Sequence, residues 1–152
     1  MIVALDTNIL VYVEGINGGP REAAARNLID QLPEYQTLIP VQALGELYNV
    51  LVRKAAWPSQ RARLAVEAWR DSFTLAPTTP TAIIEAVSLA AEHRLSVWDS
   101  VMIAVAAEGG CRLLLSEDLQ NGFSWRGVTV ANPFAVPRHP LLEALLSEAE
   151  DL

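Results

Sequence analysis

Five short apolar runs, most of them rich in β-branched residues, recur along this chain: Ile2–Leu5, Thr37–Ile39, Phe73–Ala76, Arg112–Leu115 and Val128–Val130. Stretches with helical spacing separate most of them. Pro20 to about Leu32, Val41 to about Ala56, Ser59 to about Asp71, Pro80 to about His93 and Trp98–Glu108 read as helices. Ser59 is placed as a cap of the third, Thr79-Pro80 as the start of the fourth, and Gly109-Gly110 as the stop of the fifth. Strands that alternate with helices favour a parallel sheet covered on both faces, an α/β class. In such open sheets, sites form outside the carboxyl ends of the strands, near the point where the strand order reverses.

Four acids occupy places of that kind. Asp6 directly follows the first run, and Asp118 lies three residues past Leu115. Glu46 sits in the first turns of the helix after the second run, and Asp99 begins the helix before the fourth. Each also has an ordinary structural role. Asp6 can cap a helix, Asp99 complements a helix dipole, and Asp118 suits a turn. Glu46 belongs to the polar stripe Gln42, Glu46, Asn49 and Arg53, which a solvated helix face would explain. Together they say more. Several carboxylates on one sheet edge repel one another unless protonated or bridged by cations. Oxygen ligands without a His or Cys partner suit Mg²⁺ or Mn²⁺ rather than zinc. A hydrated Mg²⁺ site completed by substrate phosphate points to phosphate-ester chemistry, with a water activated by the ion.

The residues around these acids resemble PIN-domain ribonucleases over about residues 1–134. The resemblance is carried by Ile2-Val3-Ala4-Leu5-Asp6-Thr7-Asn8-Ile9-Leu10, Leu44-Gly45-Glu46-Leu47, Trp98-Asp99-Ser100 and Leu114-Leu115-Ser116-Glu117-Asp118-Leu119. It implies a three-layer α/β/α sandwich whose central parallel sheet runs 3-2-1-4-5, with Asp6 and Asp118 on neighbouring strands. It implies Asp6, Glu46, Asp99 and Asp118 as catalytic acids, of which Asp6, Asp99 and Asp118 hold the metal. Asn8 and Ser116 support them, and Glu117 competes with Asp118 for its role. Within the family the size is most similar to the VapC toxins. That similarity implies an endoribonuclease using Mg²⁺ (or Mn²⁺), an RNA substrate, an antitoxin protein partner and a homodimer. A stand-alone RNA-processing nuclease and a non-catalytic scaffold are the alternatives. A haloacid-dehalogenase-type phosphatase would need an acid where Asn8 stands.

Charge bears on the RNA partner. The net charge of −7 opposes a nucleic-acid surface. However, Glu143, Glu148, Glu150 and Asp151 lie in the terminal segment, residues 135–152, read as an extension with an acidic amphipathic helix. Arg53 and Lys54 are the candidate phosphate contacts, since Arg53 falls on the Glu46 stripe. Trp57, Trp69, Trp98 and Trp125 read as core or subunit contacts, with Trp98 set apart by its neighbour Asp99. His93 and His139 have no ligand spacing. The lone Cys111 reads as a buried, inert thiol. A basic leader and a stretch of membrane-spanning length are both missing, so the expected setting is the reducing cytosol.

Overall fold

In the computed structural model, which describes residues 1–151, each of the five apolar runs is a strand. They are β1 (Val3–Leu5), β2 (Thr37–Pro40), β3 (Thr74–Ala76), β4 (Leu113–Leu115) and β6 (Val128–Ala131), and a two-residue strand, β5 (Ser124–Trp125), precedes the last. The sheet order is β3-β2-β1-β4-β6-β5. The five longer strands are mutually parallel and keep the expected order, with Ala4 aligned to Leu38 on one side and to Leu114 on the other. β5 is the addition, an antiparallel edge strand. Its turn is Arg126-Gly127, both at positive φ (46° and 85°), the geometry of a two-residue hairpin.

Helices cover both faces in a three-layer arrangement: α1 (Thr7–Val13), α2 (Pro20–Gln31), α3 (Val41–Asn49), α4 (Ser59–Ser72), α5 (Pro80–His93), α6 (Val97–Glu108) and α7 (Pro140–Glu150). β1 and β4 are buried along their whole length, as strands covered on both sides must be. Their side chains join Ile9, Leu10, Leu47 and Met102 in the main core. A smaller cluster of Ala82, Ala86, Val101 and Val105 seals α5 against α6. Leu142, Leu145 and Leu146 of α7 are buried in the main core, while Glu143 and Glu148 face outward.

Local chemistry sets the helix ends. Thr79 caps α5 by accepting from the Ala82 N–H, and Ser96 caps α6 by accepting from the Asp99 N–H. Gly109 ends α6 where a Cβ would meet the Leu38 terminal methyl at 2.9 Å, so a larger residue there would make that side chain shift. Two expectations are corrected. Ser59 does not cap α4: Pro58 holds the cap position in extended geometry and Ser59 is already inside the first turn. The helix from Val41 is not α-helical to its end either, because Val50–Lys54 forms a π-helical turn. Among the described residues, no helix is long and apolar enough to cross a membrane.

Candidate functional site

β1 and β4 lie side by side at the centre of the sheet, where the order reverses, and both end at the same edge. The backbone N–H of Asp6 donates to the Leu115 carbonyl at 3.0 Å, carrying the β1–β4 ladder one residue past the strands. Asp6 then does two things. Its Oδ1 accepts from the Thr7 N–H (2.8 Å), capping α1. Its Oδ2 accepts from the Ser116 hydroxyl at 2.6 Å and from the Asn8 amide at 3.2 Å. The structural role of Asp6 and its place among the other acids therefore coexist.

Asn8 is the hub. Its Nδ2 also points to Ser116 Oγ (3.3 Å) and to Asp118 Oδ2 (3.2 Å), while its Oδ1 accepts from the Glu117 N–H at 3.2 Å. One carboxamide thus ties the loop after β4 to the start of α1 and holds Asp6 and Asp118 two hydrogen bonds apart. Ser116, fully buried, also accepts from the Leu119 N–H and shapes that loop. Asp118 and Glu117 part ways here. Glu117 is engaged by the Tyr12 hydroxyl (3.0 Å) and by Arg21 (2.7 Å), whereas Asp118 lines the site cavity. Arg21 in turn lies over the Phe134 ring.

Glu46 enters from α3. One of its oxygens accepts from the Thr7 hydroxyl and the other from Gln42 Nε2 at 2.7 Å. Gln42 Nε2 also donates to the Trp98 carbonyl at 3.2 Å, a bridge from α3 to the start of α6. Glu46 and Asp118 line one cavity of about 520 Å³ with Thr7 and Asn8. Asp99 is exposed in the first turn of α6, next to the Trp98 carbonyl that Gln42 bridges to α3, and among the described residues its carboxylate has no hydrogen-bond or ion-pair partner. Trp98, 60% exposed, leaves its indole outside the core.

Burial pushes the Asp6 carboxyl up to about 6. The Ser116 hydroxyl and the Thr7 N–H oppose that rise, and the charges of Glu46 and Asp118 add to it. Among the described residues, none of the ion pairs includes Asp6, Glu46, Asp99 or Asp118. Nor do any three Asp, Glu, His or Cys side chains among them stand as a ready-made metal cage. Mg²⁺ does not require one, since it keeps its waters and is held by one or two carboxylates plus substrate oxygens. The pair of buried Asp6 and exposed Asp118, oxygen-only and in none of those ion pairs, fits that ion.

Arg53, expected on the Glu46 stripe, does not line the cavity; Lys54 does. The π turn at Val50–Lys54 is the cause, because its wider winding moves the stripe on by one residue. Thr7 and Tyr12 were not singled out from sequence, and Gln42 was placed only on the polar stripe with Glu46. Thr7 had a signal in its place beside Asp6, but its partner is 39 positions away. The other aromatic, imidazole and thiol residues stay outside this site. Trp69 is buried and donates to Glu14, and His139 caps α7. Burial holds the Cys111 thiol at about 12, so it is inert.

Solved structures share this fold. VapC20 of Mycobacterium tuberculosis, described as a sarcin–ricin-loop-cleaving toxin, superposes with a TM-score of 0.63 at 21% identity, covering 74% of this chain and 86% of that one. A toxin–antitoxin complex from Klebsiella pneumoniae gives 0.65 at 22% identity, over 88% of this chain and 99% of that one. PAE2754 from Pyrobaculum aerophilum gives 0.63 at 17% identity, over 100% and 91%. None of the curated proteins compared with the chain matches it. The PIN domain family model matches residues 3–123, which hold Asp6, Asn8, Glu46, Asp99, Ser116 and Asp118, and the chain belongs to the PIN domain family.

Proposed function

We propose that this chain is a metal-dependent endoribonuclease and the toxin of a toxin–antitoxin pair. The observation that carries the reading is the unneutralised carboxylate group of Asp6, Asp118 and Glu46 at the carboxyl edge of the central strands. The toxin-like neighbours, VapC20 and the Klebsiella complex, support it through the shared fold. Asp6 and Asp118 would hold Mg²⁺ (or Mn²⁺), with Asp99 joining through water from the start of α6. The ion, when bound, lowers the pKa of a water and neutralises charge on the phosphate and on the leaving oxygen.

The chain's own residues supply order. Asn8 keeps Asp6 and Asp118 at a fixed spacing, and Ser116 holds Asp6 Oδ2 from the protein side. Thr7 and Gln42 grip both oxygens of Glu46 and so fix its remaining lone pairs toward the cavity, where it can orient a water or accept its proton. Lys54, which lines the same cavity, would meet a phosphate of the RNA. Residues 1–134 form the catalytic unit in this reading and residues 135–152 the extension. An antitoxin protein, a homodimer and a cytoplasmic setting belong to the same reading.

The test is cleavage of a mixed structured-RNA pool by purified protein with Mg²⁺, with Mn²⁺ and with EDTA, beside Asp6→Asn checked for folding. Cuts that need the ion and fall by at least about 100-fold in the variant are expected, the scale on which removing one electrostatic partner acts. Cleavage by folded Asp6→Asn at the wild-type rate would overturn the assignment. A protein that binds neither ion by calorimetry and cuts nothing is a scaffold.

A further inference from the structure

The site cavity changes character along α3. Its wall runs from Glu46 through Asn49 and Val50 to Lys54, about two helical turns further on. Asn17, from the loop between α1 and α2, lines the same cavity, and Val11 and Tyr12 complete this part. Asn17 sits at φ 58°, a left-handed conformation that asparagine tolerates, and its loop is tied down by Gly15 N–H to the Tyr12 carbonyl and Ile16 N–H to the Val11 carbonyl. Among the described residues, neither Asn17 nor Asn49 has a side-chain hydrogen-bond partner, and Lys54 joins none of the ion pairs. Two free carboxamides, two valines and one ammonium therefore share a cleft with the acids, at a size typical of small-ligand sites.

Each carboxamide offers a donor and an acceptor side by side, which matches an amino donor next to a ring-nitrogen acceptor; adenine presents that pair on two edges, one for each carboxamide, and cytosine on one only. The valine methyls suit the faces of a ring, and an ammonium suits a phosphate oxygen. RNA is read in this way where its bases are unpaired and turned out. We propose that this part of the cavity is a nucleobase subsite. It takes one unstacked base, adenine by preference, whose edge is read by Asn49 and Asn17 while Lys54 holds the adjoining phosphate. That the base flanks the bond to be cut rests on the nuclease reading; the binding itself does not.

The experiment titrates the isotopically labelled full chain with AMP, GMP, CMP and UMP in Mg²⁺ and follows the side-chain amide resonances of Asn17 and Asn49. AMP is expected to move both. Asn49→Ala and Asn17→Gly should each weaken AMP by about tenfold, the worth of a base-edge pair, and level the four nucleotides. Lys54→Gln should weaken all four alike. Glycine accepts the backbone of position 17 and alanine favours the helix at position 49, so both variants retain the fold. If no nucleotide moves either asparagine, or the variants keep the wild-type order, the subsite is wrong. If AMP binds as described and the RNA pool is not cut, the subsite stands and the nuclease reading falls.

Discussion

The carboxyl of Asp6 is 7% exposed, faces Glu46 and Asp118, and has no cation paired with it. Its folded pKa of about 6 lies above the ordinary 3.8, so the native state binds the proton more tightly than the unfolded chain does. The associated stability is fully present below about pH 4 and is lost as pH rises through about 6, a change of about 3 kcal/mol. Denaturation of metal-free wild type and Asp6→Asn across that window should show the step in wild type alone; parallel curves would refute it. Divalent cation should restore the loss: at a hundred times its dissociation constant it adds about 2.7 kcal/mol, visible as a rise in Tm that EDTA reverses. Glu46 gives a second residue-scale prediction. Gln42→Ala frees one of its oxygens and should lower kcat by about tenfold, the cost of one lost hydrogen bond, with Tm nearly unchanged. Of these residues Asp6 and Asp118 were legible in the sequence because they follow strand ends, and Asn8 and Ser116 only through the family resemblance. Thr7 and Gln42 were not, because what they do is defined by Glu46, and only tertiary packing brings Thr7 to it.

At the scale of elements, the informative one is the π turn at Val50–Lys54. A strict 3.6-residue stripe puts Arg53 beside Glu46; one wider turn puts Lys54 there and leaves Arg53 exposed outside the cavity. Lys54→Ala should therefore weaken RNA binding and reduce its salt dependence by about one ion, while Arg53→Ala should change neither. Equal effects from the two would mean that the turn does not set the contact. No residue in Val-Leu-Val-Arg-Lys announces such a turn, so the sequence pattern ran straight through it. The same limit hid β5, whose two residues are too few for a periodic signal and are paired only by the Arg126-Gly127 turn. The five parallel strands were legible for the opposite reason. Buried on both faces, β1 and β4 must be unbroken apolar runs, and such runs stand out.

For the whole molecule, the net charge of −7 proves a poor guide to the site. Part of the acidic excess sits on α7, whose Glu148 lies 3.7 Å from the N-terminal ammonium while its leucines enter the core. Leu145→Ala should cost about 2–5 kcal/mol, as buried leucines generally do, measured as a lower midpoint in urea. A loss under about 0.5 kcal/mol, the scale of a surface change, would show α7 to be dispensable. The position of β1 has a further consequence. It is the first strand made, yet its neighbour on the site side, β4, begins at Leu113, and Asp6 and Asp118 meet only across that pair. A ribosome must make and release all of the chain from Asp6 to Asp118 before the two aspartates face each other. Until then the nascent chain carries one member of the carboxylate pair without the other.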